Sequence, residues 1–107
     1  MIFSDIRNYT RGWFIGNFEP CIYKTDKFEV GLLSHKKGEK WPKHIHKIAT
    51  EYNLLIKGLM TIGDAVILPG QIFTIEPGEV ADPEFLEDCV VLVVKVPSVP
   101  GDKYAVD

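Results

Sequence analysis

Short apolar runs alternate with turn residues along the whole chain. Five runs are rich in valine, isoleucine, leucine and aromatic residues, a composition typical of β-strands: residues 28–34, 52–57, 65–68, 72–75 and 89–96. Pairs of residues that contain glycine, proline or aspartate separate these runs, as expected for tight turns. No segment keeps helical periodicity over three turns, so we expect any helix to be a single turn. Strands at this spacing predict an all-β sandwich or barrel rather than a βαβ unit.

The last of these runs, residues 89–96, is apolar at both alternating sets of positions. Since successive side chains of a strand point to opposite faces, both faces of this strand are expected to be covered. We expect the cover to come from a second copy of the chain, or from the N-terminal segment with its aromatic stretch 12–18. We therefore predict a homodimer.

Length and composition indicate one globular domain. The chain has 107 residues, enough to bury one core but not two, and its 46% hydrophobic content does not suggest disorder. We divide it into an N-terminal strand or arm (1–20), a barrel (21–97) and a C-terminal arm (98–107). Pro97 and Pro100 lack the backbone N–H that a ladder needs, so we expect the C-terminal arm to run along the surface in extended form.

Hydropathy and charge narrow the classes of partner. No apolar run approaches the roughly 18 residues that a membrane helix needs, and residues 1–10 lack the layout of a signal peptide. We therefore expect a cytoplasmic protein without a membrane partner. The net charge of −3, together with the lack of an aromatic and basic platform, argues against nucleic acid as a partner.

Two histidines placed two residues apart are the strongest indication of chemistry. His44 and His46 share one face of a strand, because strand side chains alternate with period two. Glu51 joins that face if the chain bends at residues 48–50 and returns. Two imidazoles and one carboxylate that converge on one point are a ligand set suited to a divalent transition metal.

The spacing Gly38-x5-His44-x-His46-x4-Glu51-x6-Gly58 resembles the first signature motif of the cupin superfamily. The resemblance covers every position of that motif. It implies an all-β fold, the small jelly-roll β-barrel that cupins share. The resemblance also agrees with the predicted homodimer, because cupins commonly dimerise through their sheets.

A second cupin motif is matched in part, between Gly70 and Phe85. Its glycines fit at Gly70 and Gly78, but Ala81 stands where the family has its fourth ligand, a histidine. Phe85 stands where the family has asparagine. A methyl group cannot coordinate a metal, so the resemblance implies a metal site reduced to three ligands. Asp82 replaces the missing ligand only if a β-bulge shifts the register by one residue.

Three protein ligands leave coordination positions open for a substrate. The expected cofactor is one divalent transition metal, Fe, Mn, Ni or Zn. Iron would suit oxidation of a small molecule, as in an oxygenase. A redox-inert metal would suit isomerase, epimerase or lyase chemistry on a hydroxy- or keto-acid or on a sugar derivative. If the metal lies on the histidines alone, Glu51 is free to act as a base.

A non-catalytic cupin is the alternative, because the fold hosts many unrelated activities and loss of the fourth ligand fits loss of chemistry. Such a protein would bind a sugar or a small acid, or serve as a structural module. Retention of the other three ligands favours the metal-binding interpretation. An open cavity at His44 and His46 would distinguish a binding or catalytic protein from a structural one, whose interior is filled with side chains.

Residues near the motifs are candidates for the lining of a small-molecule pocket. They include four aromatic residues, the histidine before the motif and the residue at the fourth-ligand position: Trp41, Tyr52, Phe73, Phe85, His35 and Ala81. Lysines flank the histidine motif, and Lys40, Lys43 and Lys47 are candidate contacts for an anionic ligand. A solvated strand edge is the other interpretation of these lysines.

Overall fold

The computed structural model describes residues 1–106. They include two single-turn 3₁₀ helices, Ile6–Asn8 and Thr10–Gly12, and no helix in this range has the length and hydropathy needed to cross a bilayer. The remaining regular structure is β. The strands are β1 (Trp13–Gly16), β2 (Tyr23–Lys24), β3 (Glu29–His35), β4 (His44–Ile45), β5 (Thr50–Lys57), β6 (Met60–Ile62), β7 (Ala65–Ile67), β8 (Ile72–Ile75), β9 (Pro83–Phe85), β10 (Cys89–Val96) and β11 (Tyr104–Ala105).

All five predicted strands and the expected single-turn helices are confirmed. β3, β5, β7, β8 and β10 occupy the five predicted runs, with ends that differ by at most two residues. The other described strands have two to four residues each, too few to show an alternating pattern in the sequence. The fold is all-β, as the sequence predicted.

The strands of residues 1–106 form three hydrogen-bonded sheets. The largest has the order β2–β1–β3–β10–β5–β8, in which β1 and β2 are parallel and the other pairs are antiparallel. The second has the order β7–β6–β9, and the third pairs β11 with β4. The jelly-roll fold is confirmed, with sheets that face each other as a sandwich, and the hydrogen bonds within residues 1–106 do not join these sheets into one closed barrel. The reason is that Lys40 meets Glu84, and His44 meets Ala81, in isolated bridges rather than in continuous ladders.

The core lies between the six-stranded and three-stranded sheets. β10 is a central strand, with β3 on one side and β5 on the other, and its alternate residues Cys89, Val91 and Val93 are buried. Removal of these apolar side chains from water is the main favourable term in folding. The same cluster includes residues from both sheets: Leu55, Met60, Ile67 and Phe85.

The glycines at the two ends of the first histidine motif meet different backbone needs. Gly38 has φ +78° in the turn after β3, a left-handed conformation that favours glycine. Gly58 has φ +103°, and a Cβ at this position would lie 2.4 Å from the carbonyl oxygen of Asp88 and 2.7 Å from Sγ of Cys89. Both ends of the motif are therefore turns in which a side chain is unfavourable.

The C-terminal arm returns to the strand that carries the first histidine. Tyr104–Ala105 pairs with Ile45 and His44 of β4. The expectation of an arm without ladder hydrogen bonds is therefore wrong for these two residues. Pro97 and Pro100 precede them, and the chain regains backbone donors beyond the second proline.

Candidate functional site

A cavity of about 750 Å³ opens between the sheets, a volume within the range of small-molecule sites. Both motifs contribute to its lining, with His44, His46 and Glu51 from the first and Ala81 and Phe85 from the second. Apolar side chains of the core, including Met60, Val91 and Val93, form another part of the wall. The open cavity that distinguishes a binding or catalytic protein from a structural one is present.

His44 and His46 lie next to each other on the cavity wall. Their rings meet edge to face, with centroids 5.2 Å apart. Nδ1 of His44 lies 3.1 Å from the carbonyl oxygen of Pro42, so this nitrogen carries the proton and donates it, and Nε2 keeps the free electron pair. Burial lowers the pKa of both histidines, so both rings are neutral near pH 7, the form that binds metals.

Glu51 faces His46 from the start of β5. Its Oε2 lies 3.4 Å from Nδ1 of His46, and the His46 and Glu51 side chains are 2% and 13% exposed. Nδ1 of His46 is buried and has no hydrogen-bond partner among the described residues. Buried polar atoms are nearly always partnered in proteins, so this nitrogen is available to water, an ion or a ligand.

A carboxylate from the C-terminal arm holds the bend that brings Glu51 back to the histidines. Asp102 accepts hydrogen bonds from the backbone N–H groups of Lys47, Ile48 and Ala49 at 2.9, 3.1 and 2.9 Å. Burial raises the pKa of Asp102, but these three donors outweigh burial and leave the pKa below its usual value. The loop between β4 and β5 is therefore built around an ionised carboxylate.

Ala81 lies directly opposite His44. The His44 N–H donates to the carbonyl oxygen of Ala81 at 3.1 Å, and the Ala81 N–H donates to that of His44 at 2.8 Å. Residues paired in this way present their side chains on the same face, so the Ala81 methyl group faces the cavity beside the imidazole. With Ala81 in this register, Asp82 is not part of the cavity lining in the described chain.

His35, Glu39 and Trp41 form a second polar cluster on the cavity wall. Nδ1–H of His35 donates to Oε2 of Glu39 at 2.6 Å, and the indole N–H of Trp41 donates to the same oxygen. The His35 ring stacks on Phe85, with centroids 4.1 Å apart. Burial raises the pKa of Glu39, but the hydrogen bonds from His35 and Trp41 bring it below its usual value. The ionised carboxylate orients His35 and leaves its Nε2 available as a proton acceptor.

No protein-family model matches the chain, and no curated protein matches it. Solved structures do match. A cupin-2 domain containing protein from Shewanella frigidimarina superposes with a TM-score of 0.57 at 16% identity, over 67% of this chain and 72% of that chain. A protein with a double-stranded β-helix domain from Klebsiella pneumoniae gives 0.67 at 23% identity, over 94% and 87%. The chain has the cupin fold.

A third solved structure links the fold to enzymes. A chain from the crystal structures of the DMSP lyases RdDddP and RnDddQII superposes on this cupin with a TM-score of 0.71 at 18% identity. The superposition covers 89% of this chain and 51% of the other, so this chain spans about half the length of the lyase chain. At such identities the likeness establishes the fold.

The donor set of His44, His46 and Glu51 fits a divalent transition metal in its chemistry. It combines two neutral imidazoles with one carboxylate, and the buried Nδ1 of His46 has no hydrogen-bond partner among the described residues. As the side chains stand, however, no group of three histidine, cysteine, aspartate or glutamate residues within 1–106 has the geometry to hold a metal ion. Coordination therefore requires His44, His46 and Glu51 to rotate toward a common point.

The pocket candidates of the cupin fall on both faces of the large sheet. Tyr52, expected as a cavity wall, is 45% exposed on the outer face. The reason is strand alternation, because Glu51 and Asn53 face the cavity and the residue between them must point away. The other pocket candidates line the cavity: Trp41, Phe73, Phe85, His35 and Ala81.

The three lysines that flank the histidine motif lie on the surface of the cupin. Lys40, Lys43 and Lys47 are exposed and are not part of the cavity lining in residues 1–106. Lys47 lies over the ring of Tyr104, with its Nζ 4.0 Å from the centroid. A contact between these lysines and an anionic ligand stays a prediction.

Several polar residues of the cupin site were not predicted from the motifs. Asn53 could have been found, because it lies two residues beyond Glu51 on the same strand face. Lys95 interrupts the apolar run of β10 at a position that pairs with Glu51. A charged residue within an apolar strand is a second sequence feature that could have indicated a site residue. Arg11 and Asp102 come from the two ends of the chain, and no local pattern indicates that these ends meet at the cavity.

Proposed function

We propose that this cupin holds one divalent transition metal at His44, His46 and Glu51 and acts on a small molecule in the adjoining cavity. The observation that carries the proposal is that these three side chains line one open cavity, where the buried Nδ1 of His46 has no hydrogen-bond partner among residues 1–106. Action on a small molecule is consistent with fold neighbours that include DMSP lyases.

Proton transfer is the reaction type that this cavity supports best. A bound metal would act as a Lewis acid that polarises an oxygen of the substrate. Nε2 of His35 would accept a proton from the substrate or return it, while Glu39 holds the ring through Nδ1. Phe85 and Trp41 pack around this ring and restrict the access of water to it. These roles fit an isomerase, epimerase or lyase better than an oxygenase.

Elemental analysis of untagged protein tests the proposal. We expect a near-stoichiometric amount of Fe, Mn, Ni or Zn, and its loss in a His44→Ala/His46→Ala double variant. His35→Ala is the matched control, since it removes a cavity histidine outside the donor set and should keep the metal. No metal after anaerobic reconstitution, or equal metal in the double variant, would contradict the proposal.

A non-catalytic binding protein is the second candidate. The methyl group of Ala81 and the lack of a finished three-donor group in the described part of the chain favour it. In that case the cavity binds a sugar or small acid, or the fold serves as a structural module, and no metal is required. Wild-type protein that remains metal-free and still binds a small molecule would select this candidate over the first.

We also propose that the protein is a cytoplasmic homodimer that associates through the outer face of the six-stranded sheet. The strand register places Leu54 between Leu92 and Ile72, so the apolar positions of three adjacent strands are continuous there. Continuous exposed apolar patches are typical of interfaces. Trp13, from the aromatic stretch expected as an alternative cover, packs against the inner core instead.

A further inference from the structure

Three cationic side chains enter the cavity without ion-pair partners. Arg11 comes from the second 3₁₀ helix, Lys95 from β10 and Lys103 from the C-terminal arm, and all three line the cavity. None of them forms an ion pair within residues 1–106. Arg7, which also lines the cavity, is paired with Asp5 at 2.8 Å. The cavity therefore holds three cationic side chains that form no ion pair in the described part of the chain, beside the carboxylates of Glu39 and Glu51.

Lys95 forms no ion pair with the carboxylates beside it in the described chain, although burial raises the pKa of Glu29 and the charge of Lys95 lowers it in part. In the strand register it lies between Glu29 of β3 and Glu51 of β5, and its ammonium forms an ion pair with neither in the described structure. Its Nζ lies over the ring of Trp13, 5.1 Å from the centroid. A cation–π contact of this kind leaves the N–H groups of the ammonium free to donate to a ligand.

Lys103 lies at the mouth of the same cavity. Its Nζ is 3.8 Å from the centroid of the Trp41 ring. Partial burial, together with the positive charges of Lys95 and Arg11, lowers the pKa of Lys103. The three positive charges repel one another, and an anion bound among them would remove this repulsion.

Asn53 places an unpartnered polar group on the cavity wall. The residue is 4% exposed and lines the cavity, and its Nδ2 has no hydrogen-bond partner among residues 1–106. It shares the inward face of β5 with Glu51. A buried amide without a partner is costly, so its position indicates a ligand with an acceptor oxygen.

We infer that the cavity binds a small organic acid that carries a second oxygen, as in a hydroxy- or keto-acid. Its carboxylate lies among Arg11, Lys95 and Lys103, and its second oxygen accepts a hydrogen bond from Asn53. The apolar walls of the cavity enclose the carbon chain, which an inorganic anion lacks. The inference rests on the proposed function in that it assigns the substrate class of the same cavity, and it does not require the metal.

Tryptophan fluorescence reports on this site, because the chain has two tryptophans and the ammonium group of a cavity lysine lies over the ring of each. Lactate and malate are titrated into metal-free protein and into zinc-loaded protein, with inorganic phosphate and chloride as comparisons at equal ionic strength. We expect a saturable change in emission with the hydroxy acids in the metal-free form as well as in the zinc-loaded form. An equal response to phosphate or chloride, or no saturable response in either form, would overturn the inference.

Single variants separate the site from a general effect of charge. Lys103→Met should weaken hydroxy-acid binding by about tenfold or more, and Lys103→Arg should retain it. Lys27→Met, at an exposed lysine outside the cavity, is the matched control and should bind like the wild type. Equal weakening by Lys27→Met and Lys103→Met would overturn the inference.

Asn53→Leu gives a second, independent test. The variant should bind the hydroxy acids more weakly, and its melting temperature should stay equal to or above that of the wild type because an unpartnered polar group is removed. Unchanged hydroxy-acid affinity in this variant would overturn the role of Asn53.

The His44→Ala/His46→Ala variant distinguishes failure of this inference from failure of the proposed function. Hydroxy-acid binding that persists in the double variant supports the inference whether or not the wild type contains metal. A wild type that contains metal and shows no hydroxy-acid binding overturns the inference and leaves the proposed metal site intact.

Discussion

At the scale of single residues, Ala81 places a methyl group beside His44 on the cavity face of a hydrogen-bonded pair. We predict that Ala81→His raises the affinity for a divalent metal by about tenfold or more, because a third imidazole would join the donor set. Competition with a chelating dye measures the affinity. Asp82→His is the matched control and should leave the affinity unchanged. No gain from Ala81→His, or an equal gain from both variants, would contradict the site.

Glu39 holds two cavity side chains at once, through the imidazole of His35 and the indole of Trp41. Glu39→Gln exchanges one acceptor oxygen for an N–H group, so we predict a loss of about 1–2 kcal/mol in the free energy of unfolding at pH 7. Urea denaturation measures this loss, and the indole N–H resonance reports on Trp41. Glu87→Gln, at an exposed position, should change stability by less than about 0.5 kcal/mol. Wild-type stability with an unshifted resonance would show that the cluster does not form.

At the scale of elements, the loop between β4 and β5 depends on Asp102 of the C-terminal arm. Asp102→Ala leaves three backbone N–H groups of the loop without their acceptor, so we predict a loss of about 3 kcal/mol in the free energy of unfolding. Denaturation in urea is the measurement, with Asp26→Ala as the control at an exposed aspartate. A loss no larger than that of the control would mean that the arm does not hold the loop.

The ionised state of Asp102 also makes this loop sensitive to acid. The pKa of Asp102 lies below its unfolded value, so the carboxylate stabilises the fold fully above about pH 5 and progressively less as the pH falls through the folded pKa. We predict that the wild type loses free energy of unfolding between about pH 5 and pH 2, and that Asp102→Asn loses less over the same range. Parallel stability profiles for the two proteins would be the contrary result.

Sequence patterns predicted the elements whose own residues carry enough information. Five strands were found because runs such as 89–96 have the composition of a β-strand over their full length. A strand at the two histidines was also expected, and β4 covers His44 and Ile45. β11 was not found, because it has two residues and pairs with β4 only where the C-terminal arm meets the histidine strand. The prolines of the C-terminal arm also led us to expect a segment without sheet hydrogen bonds. This expectation is wrong beyond Pro100, where Tyr104 and Ala105 pair with β4.

At the scale of the whole molecule, the local part of the site was predictable and the long-range part was not. His44, His46 and Glu51 lie within eight positions of one another, so their spacing, with a bend at residues 48–50, predicted the cavity wall that they share. Arg11 and Lys103 reach the cavity from opposite ends of the chain, which depends on how the sheets and arms pack. Site residues that lie close together in the sequence could therefore be predicted, and those that are far apart in the sequence could not, whatever their residue type.

The outer face of the six-stranded sheet is the surface through which we propose that a second copy of the chain binds. We predict that the wild type sediments with twice the chain mass of 12.1 kDa at micromolar concentration, and that Ile72→Lys yields the monomer. Ile72 is 69% exposed in the single chain, so a lysine there disturbs association rather than folding. Val66→Lys, at a 58% exposed position on β7, is the control and should remain dimeric. A monomeric wild type, or equal dissociation of both variants, would contradict this interface.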